Sequence, residues 1–196
     1  VAMEAARGCP QSCRFCQASS LYFPHRTREP EAVLKTMVRS LRQTGYEACS
    51  LSALSISDYP HLEETVRSLM DELARDKISL SLSSLRPRGL SADVVENILR
   101  VRKTGFTLVP EAGTERLRAV INKTLTDEEI GEALTLAFRG GWKLVKFYFM
   151  AGLPTETEHD LQGIVDLVGR SLDLGRSILG GPPRIHLSLS SFIPKP

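Results

Sequence analysis

The sequence predicts an α/β fold in which about six parallel strands form an open, partial TIM-like barrel, (β/α)6. Short runs rich in β-branched and aliphatic residues alternate with longer amphipathic segments, and the alternation repeats six times along the 196 residues. Such alternation implies a parallel sheet with right-handed crossovers. Six strands are too few for the eight of a closed barrel. A flat, doubly wound sheet is the alternative architecture.

Composition and periodicity place each element along the chain. Strands are predicted at 1–5, 48–54, 78–85, 106–109, 144–150 and 185–191, and helices at 30–44, 61–76, 91–104, 114–121, 126–139 and 158–179. Pro30 suits a first helical turn and Gly45 a helix end, while Thr126 and Glu129 have the spacing of a capping box. Because ligands bind at the carboxyl ends of parallel strands, chemically active side chains are expected just after the strands.

The bulk composition is that of one globular domain. Hydrophobic residues make up 42% and charged residues 24%, and the net charge of +2 does not by itself indicate a nucleic-acid or membrane partner. No apolar run reaches the roughly 18 to 20 residues of a membrane span, and no signal peptide opens the chain. We therefore expect no membrane partner. Because disulfide scaffolds are short and cysteine-dense and this chain is neither, we expect a cytoplasmic protein. Because the chain begins with Val1, we expect 1–196 to be the core of a longer protein that lacks its flanking domains here.

Three of the four cysteines lie within eight consecutive positions, in the spacing C-x3-C-x2-C formed by Cys9, Cys13 and Cys16. Clustered thiolates on a short loop usually bind a metal, either zinc or an iron–sulfur cluster. Structural zinc takes four ligands, and no second cysteine pair exists, whereas a four-iron cluster with three protein ligands keeps one iron open. A cysteine-ligated zinc or redox binding module without radical chemistry is the alternative. Cys49, in an apolar run, is predicted to be a core thiol.

The cysteine spacing, with aromatic Phe15 directly before the third cysteine, resembles the signature of the radical S-adenosylmethionine (radical SAM) superfamily. The resemblance implies that the three cysteines bind a [4Fe-4S] cluster whose open iron binds S-adenosyl-L-methionine. It implies an enzyme that reductively cleaves this cofactor to a 5′-deoxyadenosyl radical, which abstracts hydrogen from a substrate. It also implies an electron donor of the flavodoxin or ferredoxin type. Phe15 would shield the cluster near the adenine.

Residues after the second and third strands are candidates for contacts with S-adenosyl-L-methionine. Members of the family often carry a Gly-Gly-Glu-like stretch after the second strand that receives the methionine amino group. This chain has Ser57 and Asp58 there, which can also accept from an ammonium; the alternative is a plain turn. By the two-residue period of a strand, Ser84 and Arg86 share a face of the third strand and are expected to line a cavity.

Candidates after the later strands follow from the same resemblance. Glu111 would accept hydrogen bonds from the ribose hydroxyls, and Lys123, twelve positions later, would bind the methionine carboxylate. The alternatives are an acid at a helix start for Glu111 and a solvated lysine. By the two-residue period of a strand, Tyr148 shares a face with Lys146 and Met150, and it is a further candidate for a cofactor contact. Gly152 begins a Gly-Leu-Pro-Thr-Glu-Thr turn that resembles the adenine-side turn of the family, and Phe192 is a candidate adenine neighbour.

Longer stretches point to one part of the superfamily. Ser-Ser-Leu-Arg-Pro, Pro-Glu-Ala-Gly-Thr-Glu-Arg-Leu-Arg and Phe-Met-Ala-Gly-Leu-Pro-Thr-Glu-Thr are similar to a poorly characterised bacterial subgroup with a cobalamin-binding-like N-terminal domain, and more distantly to methylthiotransferases. By this analogy the reaction is methyl or methylthio transfer to a tRNA or a protein. Substrate choice would then depend on the flanking domains.

Overall fold

The computed structural model describes residues 1–101 and 106–195. These residues form two compact units, one combining 1–10 with 18–101 and the other combining 11–17 with 106–195. In this described part of the chain, no helix has both the length and the apolar character needed to cross a bilayer.

The first unit is built on three parallel strands. Its elements, in chain order, are β1 (Ala2–Glu4), β2 (Ala6–Arg7), α1 (Ala18–Leu21), β3 (Arg26–Thr27), α2 (Pro30–Thr44), β4 (Ala48–Ser52), α3 (Leu62–Leu73), β5 (Ser79–Leu82) and α4 (Ala92–Leu99). β4 lies between β1 and β5 and pairs in parallel with both, whereas β2 and β3 form a short antiparallel ribbon. Short 3-10 turns at Ile56–Asp58 and Pro87–Gly89 follow β4 and β5.

The helix α2 shows why the sequence folds as predicted. Pro30 begins it, and Gly45, in the left-handed conformation at φ 69°, ends it by donating its N–H to the Leu41 carbonyl. The buried residues Val33, Met37 and Leu41 recur every four positions, so one stripe of the helix faces the core. The predicted ends of this helix are therefore confirmed.

The second unit contains the other three parallel strands. Its elements are β6 (Phe106–Glu111), α5 (Glu115–Val120), α6 (Asp127–Arg139), β7 (Leu144–Ala151), α7 (Glu158–Leu179) and β8 (Arg184–Ser191). β7 lies between β6 and β8 and is parallel to both. The buried residues of β7 are Val145, Phe147 and Phe149. Lys146, Tyr148 and Met150 lie on the other face, as the two-residue period predicts.

The structure differs from the sequence predictions in several places. The ribbon of β2 and β3 and the short helix α1 were not predicted. β6 continues to Glu111, two residues beyond its predicted end, and β5 ends at Leu82, three residues before its predicted end. The predicted helix 91–104 ends at Leu99, and its last positions, 102–104, lie outside the described residues.

Candidate functional site

The segment that carries Cys13 and Cys16 is anchored to the C-terminal end of α5, within the second unit. The backbone N–H of Arg14 donates to the Ile121 carbonyl at 2.9 Å, and the Arg14 guanidinium donates to the Val120 carbonyl. The last carbonyls of a helix have no partner inside the helix. Arg14 therefore satisfies two such groups and fixes the cysteine segment by the same contacts.

Asn122 makes a second attachment of this segment. Its side-chain amide donates to both the carbonyl and the hydroxyl of Ser12, each at 2.8 Å. The backbone of Asn122 is left-handed, with φ 55°, a conformation that asparagine adopts more readily than most residues. Arg14 and Asn122 were not predicted as site residues, because neither residue type in itself indicates a cluster-binding loop.

The three clustered cysteines differ in exposure. Cys13 is buried, Cys9 is partly exposed and Cys16 is exposed, and none of the described cysteines forms a disulfide. Among residues 1–101 and 106–195, no three histidine, cysteine or acidic side chains are grouped as ligands of a single metal ion. In a four-iron cluster, however, each cysteine binds a different iron, so three ligands need not converge on one ion.

Cys49 behaves differently from the other three. It lies in β4 and is 4% exposed. Burial raises the pKa of its thiol to about 11. Because the thiolate is the form that binds metal, a thiol held protonated in the core is a poor ligand. The prediction of a core thiol is confirmed.

Glu111 and Lys123 form an ion pair at the carboxyl end of β6. Lys123 Nζ lies 3.3 Å from Glu111 Oε1, and the two side chains are only 9% and 15% exposed. The solvated-lysine alternative is therefore wrong. Nor is Glu111 at a helix start, since Thr114 caps α5 with its hydroxyl. Glu111 has φ 70°, a conformation that costs a residue other than glycine about 1–3 kcal/mol and that recurs at binding sites.

Phe15 brings the cysteine segment against this ion pair. Lys123 Nζ lies 6.0 Å from the centroid of the Phe15 ring, within cation–π range. Phe15 also packs against a small hydrophobic cluster, as does Phe192. The buried members of that cluster are Ala112, Leu117, Ile121 and Leu153. The second unit thus brings together four predicted site residues: Phe15, Glu111, Lys123 and Phe192.

The turn after β7 supplies two further candidates. Gly152 has φ 85°, and a Cβ built there would meet no atom of the described residues within 4 Å. Glycine is thus required by the backbone conformation rather than by packing against the protein. The Gly152 N–H donates to Glu156 Oε1 at 2.8 Å. Tyr148, on β7, is 43% exposed, so both residues are accessible to a ligand.

Asp160 is a buried carboxylate that was not predicted as a site residue. It accepts from the N–H and hydroxyl of Thr157, at 2.9 Å and 2.7 Å, and from the Thr114 hydroxyl and the Arg116 guanidinium. Arg116 also donates to the Thr155 carbonyl at 2.9 Å. Asp160 therefore ties the start of α5 to the turn that contains Gly152.

The hydrogen bonds of Asp160 make the stability of the protein depend on pH. Burial by itself raises the pKa of Asp160, but the hydrogen bonds, first that from Arg116, outweigh burial and hold the pKa well below its usual range. A carboxyl group with a lowered folded-state pKa stabilises the fold above its unfolded pKa of about 4. This stabilisation is lost as the pH falls through the folded-state pKa.

We expect Asp160→Asn to lower the melting temperature at pH 7 by about 4–8 °C, because a charged hydrogen bond worth about 2 kcal/mol is lost. The difference from the unmodified protein should shrink as the pH falls below about 4. Thermal unfolding between neutral and acidic pH measures both effects. Asp166→Asn, an exposed position on α7, is the matched control. A constant difference at all pH values would contradict the role of the Asp160 charge.

The site residues predicted in the first unit lie in the segments that follow β4 and β5. The Ser57 hydroxyl accepts from the Arg86 N–H at 2.6 Å and donates to the Arg86 carbonyl at 3.2 Å, so it joins the segments after β4 and β5. Asp58 lines a cavity of about 440 Å³ together with Arg88. Ser84 is exposed and left-handed, with φ 54°. The shared strand face predicted for Ser84 and Arg86 is wrong, because the strand ends at Leu82 and the chain turns before Pro87.

The family is decided by the match of residues 3–168 to the family model of the radical SAM superfamily. The chain belongs to this superfamily. The resemblance inferred from the cysteine motif is thereby confirmed, and the match includes residues of both units.

Relatives support this assignment. An uncharacterised protein of Methanocaldococcus jannaschii is 32% identical over 99% of this chain and 40% of its own length. A tRNA-2-methylthio-N(6)-dimethylallyladenosine synthase of Desulforamulus reducens is 23% identical over 82% of this chain and 37% of its own length. The radical SAM chain thus spans about two fifths of the length of these relatives, and the predicted relationship to methylthiotransferases is confirmed.

A solved structure confirms the predicted fold class. The radical S-adenosylmethionine methyltransferase TsrM of Kitasatospora setae, determined with cobalamin and a [4Fe-4S] cluster bound, superposes with a TM-score of 0.76 at 15% identity. The likeness covers 96% of this chain and 36% of that one. The α/β fold with parallel strands is therefore that of radical SAM enzymes, whose core is a partial TIM barrel.

Proposed function

We propose that this chain is the catalytic core of a radical SAM enzyme, which reductively cleaves S-adenosyl-L-methionine to start hydrogen abstraction from a substrate. The observation that carries the proposal is the attachment of the cysteine segment to the end of α5, through Arg14 and Asn122. The next residue, Lys123, is the cation paired with Glu111. A cluster-binding segment and a charged pair suited to the cofactor therefore lie on the same short piece of structure.

The residues present fit a [4Fe-4S] cluster. Cys9, Cys13 and Cys16 offer three thiols and no fourth, because Cys49 is buried in β4 with a raised pKa. Phe15, beside Cys16, provides an apolar side chain that excludes water from a cluster. When bound, the cluster and S-adenosyl-L-methionine together supply the one-electron cleavage of the sulfonium.

The side chains of the chain itself bind and orient the cofactor. Lys123 offers a cation to the methionine carboxylate, and Glu111 accepts from the ribose hydroxyls. Both groups already hold each other at 3.3 Å, so binding exchanges one charged contact for two. Phe192 and the open space at Gly152 suit the adenine.

Acceptors for the methionine amino group are proposed in the first unit. Asp58 is the stronger candidate, since a carboxylate accepts from an ammonium through a charge-assisted hydrogen bond. The Ser57 hydroxyl is already engaged with the backbone of Arg86, so its part is to hold the segment that carries Asp58.

The reaction after sulfonium cleavage and the partners are also proposals. A flavodoxin or ferredoxin would supply the electron, in a reducing cytoplasm. The reaction is proposed to be methyl or methylthio transfer to a tRNA or a protein, which the methylthiotransferase relatives support. Flanking domains, one of them cobalamin-binding-like, would complete the enzyme.

Anaerobic reconstitution with iron and sulfide tests the proposal directly. The loaded protein should be brown, absorb broadly in the visible range, and release 5′-deoxyadenosine from S-adenosyl-L-methionine after chemical reduction. A colourless protein that retains zinc would instead support a zinc-binding module. A brown protein that forms no 5′-deoxyadenosine under any reductant would support a simple redox domain.

We expect Asn122→Gly to loosen the cysteine segment without unfolding the protein. Glycine keeps the left-handed backbone at φ 55° but removes the amide that bonds Ser12. Each lost bond is worth about 1 kcal/mol, so buried Cys13 should react with a thiol-alkylating reagent roughly fivefold faster or more in the cluster-free protein. Mass spectrometry of the alkylated chain measures this rate. Cys49 is the internal control, and equal Cys13 rates in the two proteins would contradict the anchoring role.

A further inference from the structure

The short ribbon of β2 and β3 places two arginines directly opposite each other. Arg7 and Arg26 are register partners in this antiparallel pair. Like charges that face each other across two strands destabilise the pairing. The two guanidinium groups are therefore not explained by the stability of the ribbon, and a third, Arg28, follows directly after β3.

One carboxylate only partly compensates these three charges. Glu4 binds the Arg7 guanidinium, with Nη2 to Oε2 at 2.6 Å, and the Glu4 carbonyl accepts from Arg28 Nε at 3.0 Å. The hydrogen bond from Arg7, and then the charges of Arg28 and Arg26, lower the pKa of Glu4. Among the described residues, no carboxylate lies within ion-pair distance of Arg26. The surface therefore keeps an excess of positive charge.

The three arginines surround a small cavity with the size and chemistry of an anion site. Its volume is about 210 Å³, and its lining residues are Glu4, Ala6, Arg7, Arg26, Thr27 and Arg28. Guanidinium groups match phosphate oxygens geometrically, and the Thr27 hydroxyl adds a further donor. A phosphate group is the anion that best fits this donor set.

The exposed ring of Tyr22 lies near the same surface, and a second exposed ring, Phe23, follows it in the chain. Tyr22 is 49% exposed and Phe23 is 79% exposed, and Tyr22 lies close enough to Arg7 to raise the pKa of that arginine. Carbonyl oxygens of Tyr22 and Pro24 lie 2.6 Å and 3.0 Å from the Cβ position of Gly8, next to Arg7 in the chain. Exposed rings beside phosphate-binding cations are the combination that binds single-stranded nucleic acid, because bases stack on the rings.

We propose that the ribbon and the adjoining Tyr22–Phe23 segment form a binding surface for single-stranded RNA. Arg7, Arg26 and Arg28 bind backbone phosphates, and the two rings stack on bases. This inference rests on the proposed function and narrows its substrate class from a tRNA or a protein to an RNA. The surface belongs to the first unit alone, and Cys9 follows Arg7 by two positions. A strand bound there is therefore held at the base of the cysteine motif.

The test measures binding of a labelled single-stranded RNA oligonucleotide to the whole chain by fluorescence anisotropy, over a range of salt concentrations. Arg26→Gln should weaken binding roughly three- to tenfold and reduce the slope of log affinity against log salt by about 0.7. Phe23→Leu should weaken binding with no change in that slope, because a ring and not a charge is lost. Arg39→Gln, an exposed arginine on α2, is the control and should bind as the unmodified protein does.

Arg26→Glu separates binding from stability. It places an acid opposite Arg7, so the melting temperature should stay equal or rise, whereas RNA affinity should fall further than in Arg26→Gln. A lowered melting temperature together with unchanged RNA affinity would show that the arginines are structural, and would overturn the proposal. RNA affinity unaffected by both Arg26 variants would overturn it as well.

Two further binding measurements test whether the surface binds a different ligand. If inorganic phosphate binds as tightly as the RNA and with the same dependence on Arg26, the surface is a small-anion site and the proposal is wrong. If an acidic peptide binds in place of the RNA, the partner is a protein. Each binding measurement is made on the protein with the reconstituted cluster and on the protein without it. If the protein bound RNA but its cluster-loaded form did not cleave the sulfonium, the proposed function would be refuted. The proposal of an RNA-binding surface would still stand.

Discussion

Replacing Cys9, Cys13 or Cys16 by alanine is expected to abolish cluster binding, with iron content falling close to zero in each variant. Three thiolates bind three of the four irons, and the fourth iron is open for the cofactor. The loss of any one thiolate therefore leaves a second iron without a protein ligand. Iron and sulfide analysis after anaerobic reconstitution, with electron paramagnetic resonance of the reduced protein, measures the loss. Cys9→Ala and Cys16→Ala should keep the melting temperature of the cluster-free protein, since neither cysteine is a core residue. Cys13→Ala replaces a buried side chain and should lose about 1 kcal/mol of stability, as Cys49→Ala does.

Cys49→Ala is the matched control for these three variants. Its thiol is buried in β4 with a pKa raised to about 11, so it should keep full iron content and lose only about 1 kcal/mol of stability through weaker packing. If Cys49→Ala lost iron as completely as the others, the cluster would have four cysteine ligands. That outcome would remove the open iron and with it the proposed binding of S-adenosyl-L-methionine.

The fold could be predicted because its signal is distributed along the chain. Each long strand is a short apolar run, and each long helix has caps or a buried stripe that the sequence shows directly, as Val33, Met37 and Leu41 do in α2. The ribbon of β2 and β3 could not be predicted, because a strand of two residues is too short to show the alternation of apolar and polar residues that indicates a strand. The end of β5 was misplaced because a serine gives no sequence signal for the left-handed conformation of Ser84.

Site residues could be predicted only where a residue type or a motif indicates by itself which ligand it binds. Three cysteines in eight positions do so, and family resemblance selected Glu111 and Lys123, which the structure places in contact. Arg14 and Asn122 act through backbone carbonyls and a serine, and Asp160 acts through Thr114 and Arg116. Such contacts join residues about 40 to 110 positions apart, and nothing local in the sequence indicates them.

Lys123→Gln is expected to weaken the binding of S-adenosyl-L-methionine by roughly ten- to hundredfold, because the methionine carboxylate loses a charged hydrogen bond worth about 1.5–3 kcal/mol. Glu111→Gln should weaken it less, since the amide oxygen still accepts from the ribose hydroxyls. Glutamine is preferred to alanine at both positions because it keeps a long side chain with a polar end in this largely buried pair. Each single variant still leaves one uncompensated charge, which destabilises the fold. Titration of the cofactor into reconstituted protein gives the affinities.

The double variant Glu111→Gln/Lys123→Gln separates cofactor binding from structure. It removes both charges at once, so no unpaired charge stays buried and most of the stability lost in the single variants should return. Cofactor affinity, in contrast, should not recover, because the cation for the carboxylate is still missing. Thermal unfolding and cofactor titration on the same four proteins distinguish the two effects. If the double variant bound S-adenosyl-L-methionine as tightly as the unmodified protein, the ion pair would serve only to hold the end of β6 against the residues that follow α5, and the cofactor carboxylate would have to be bound elsewhere.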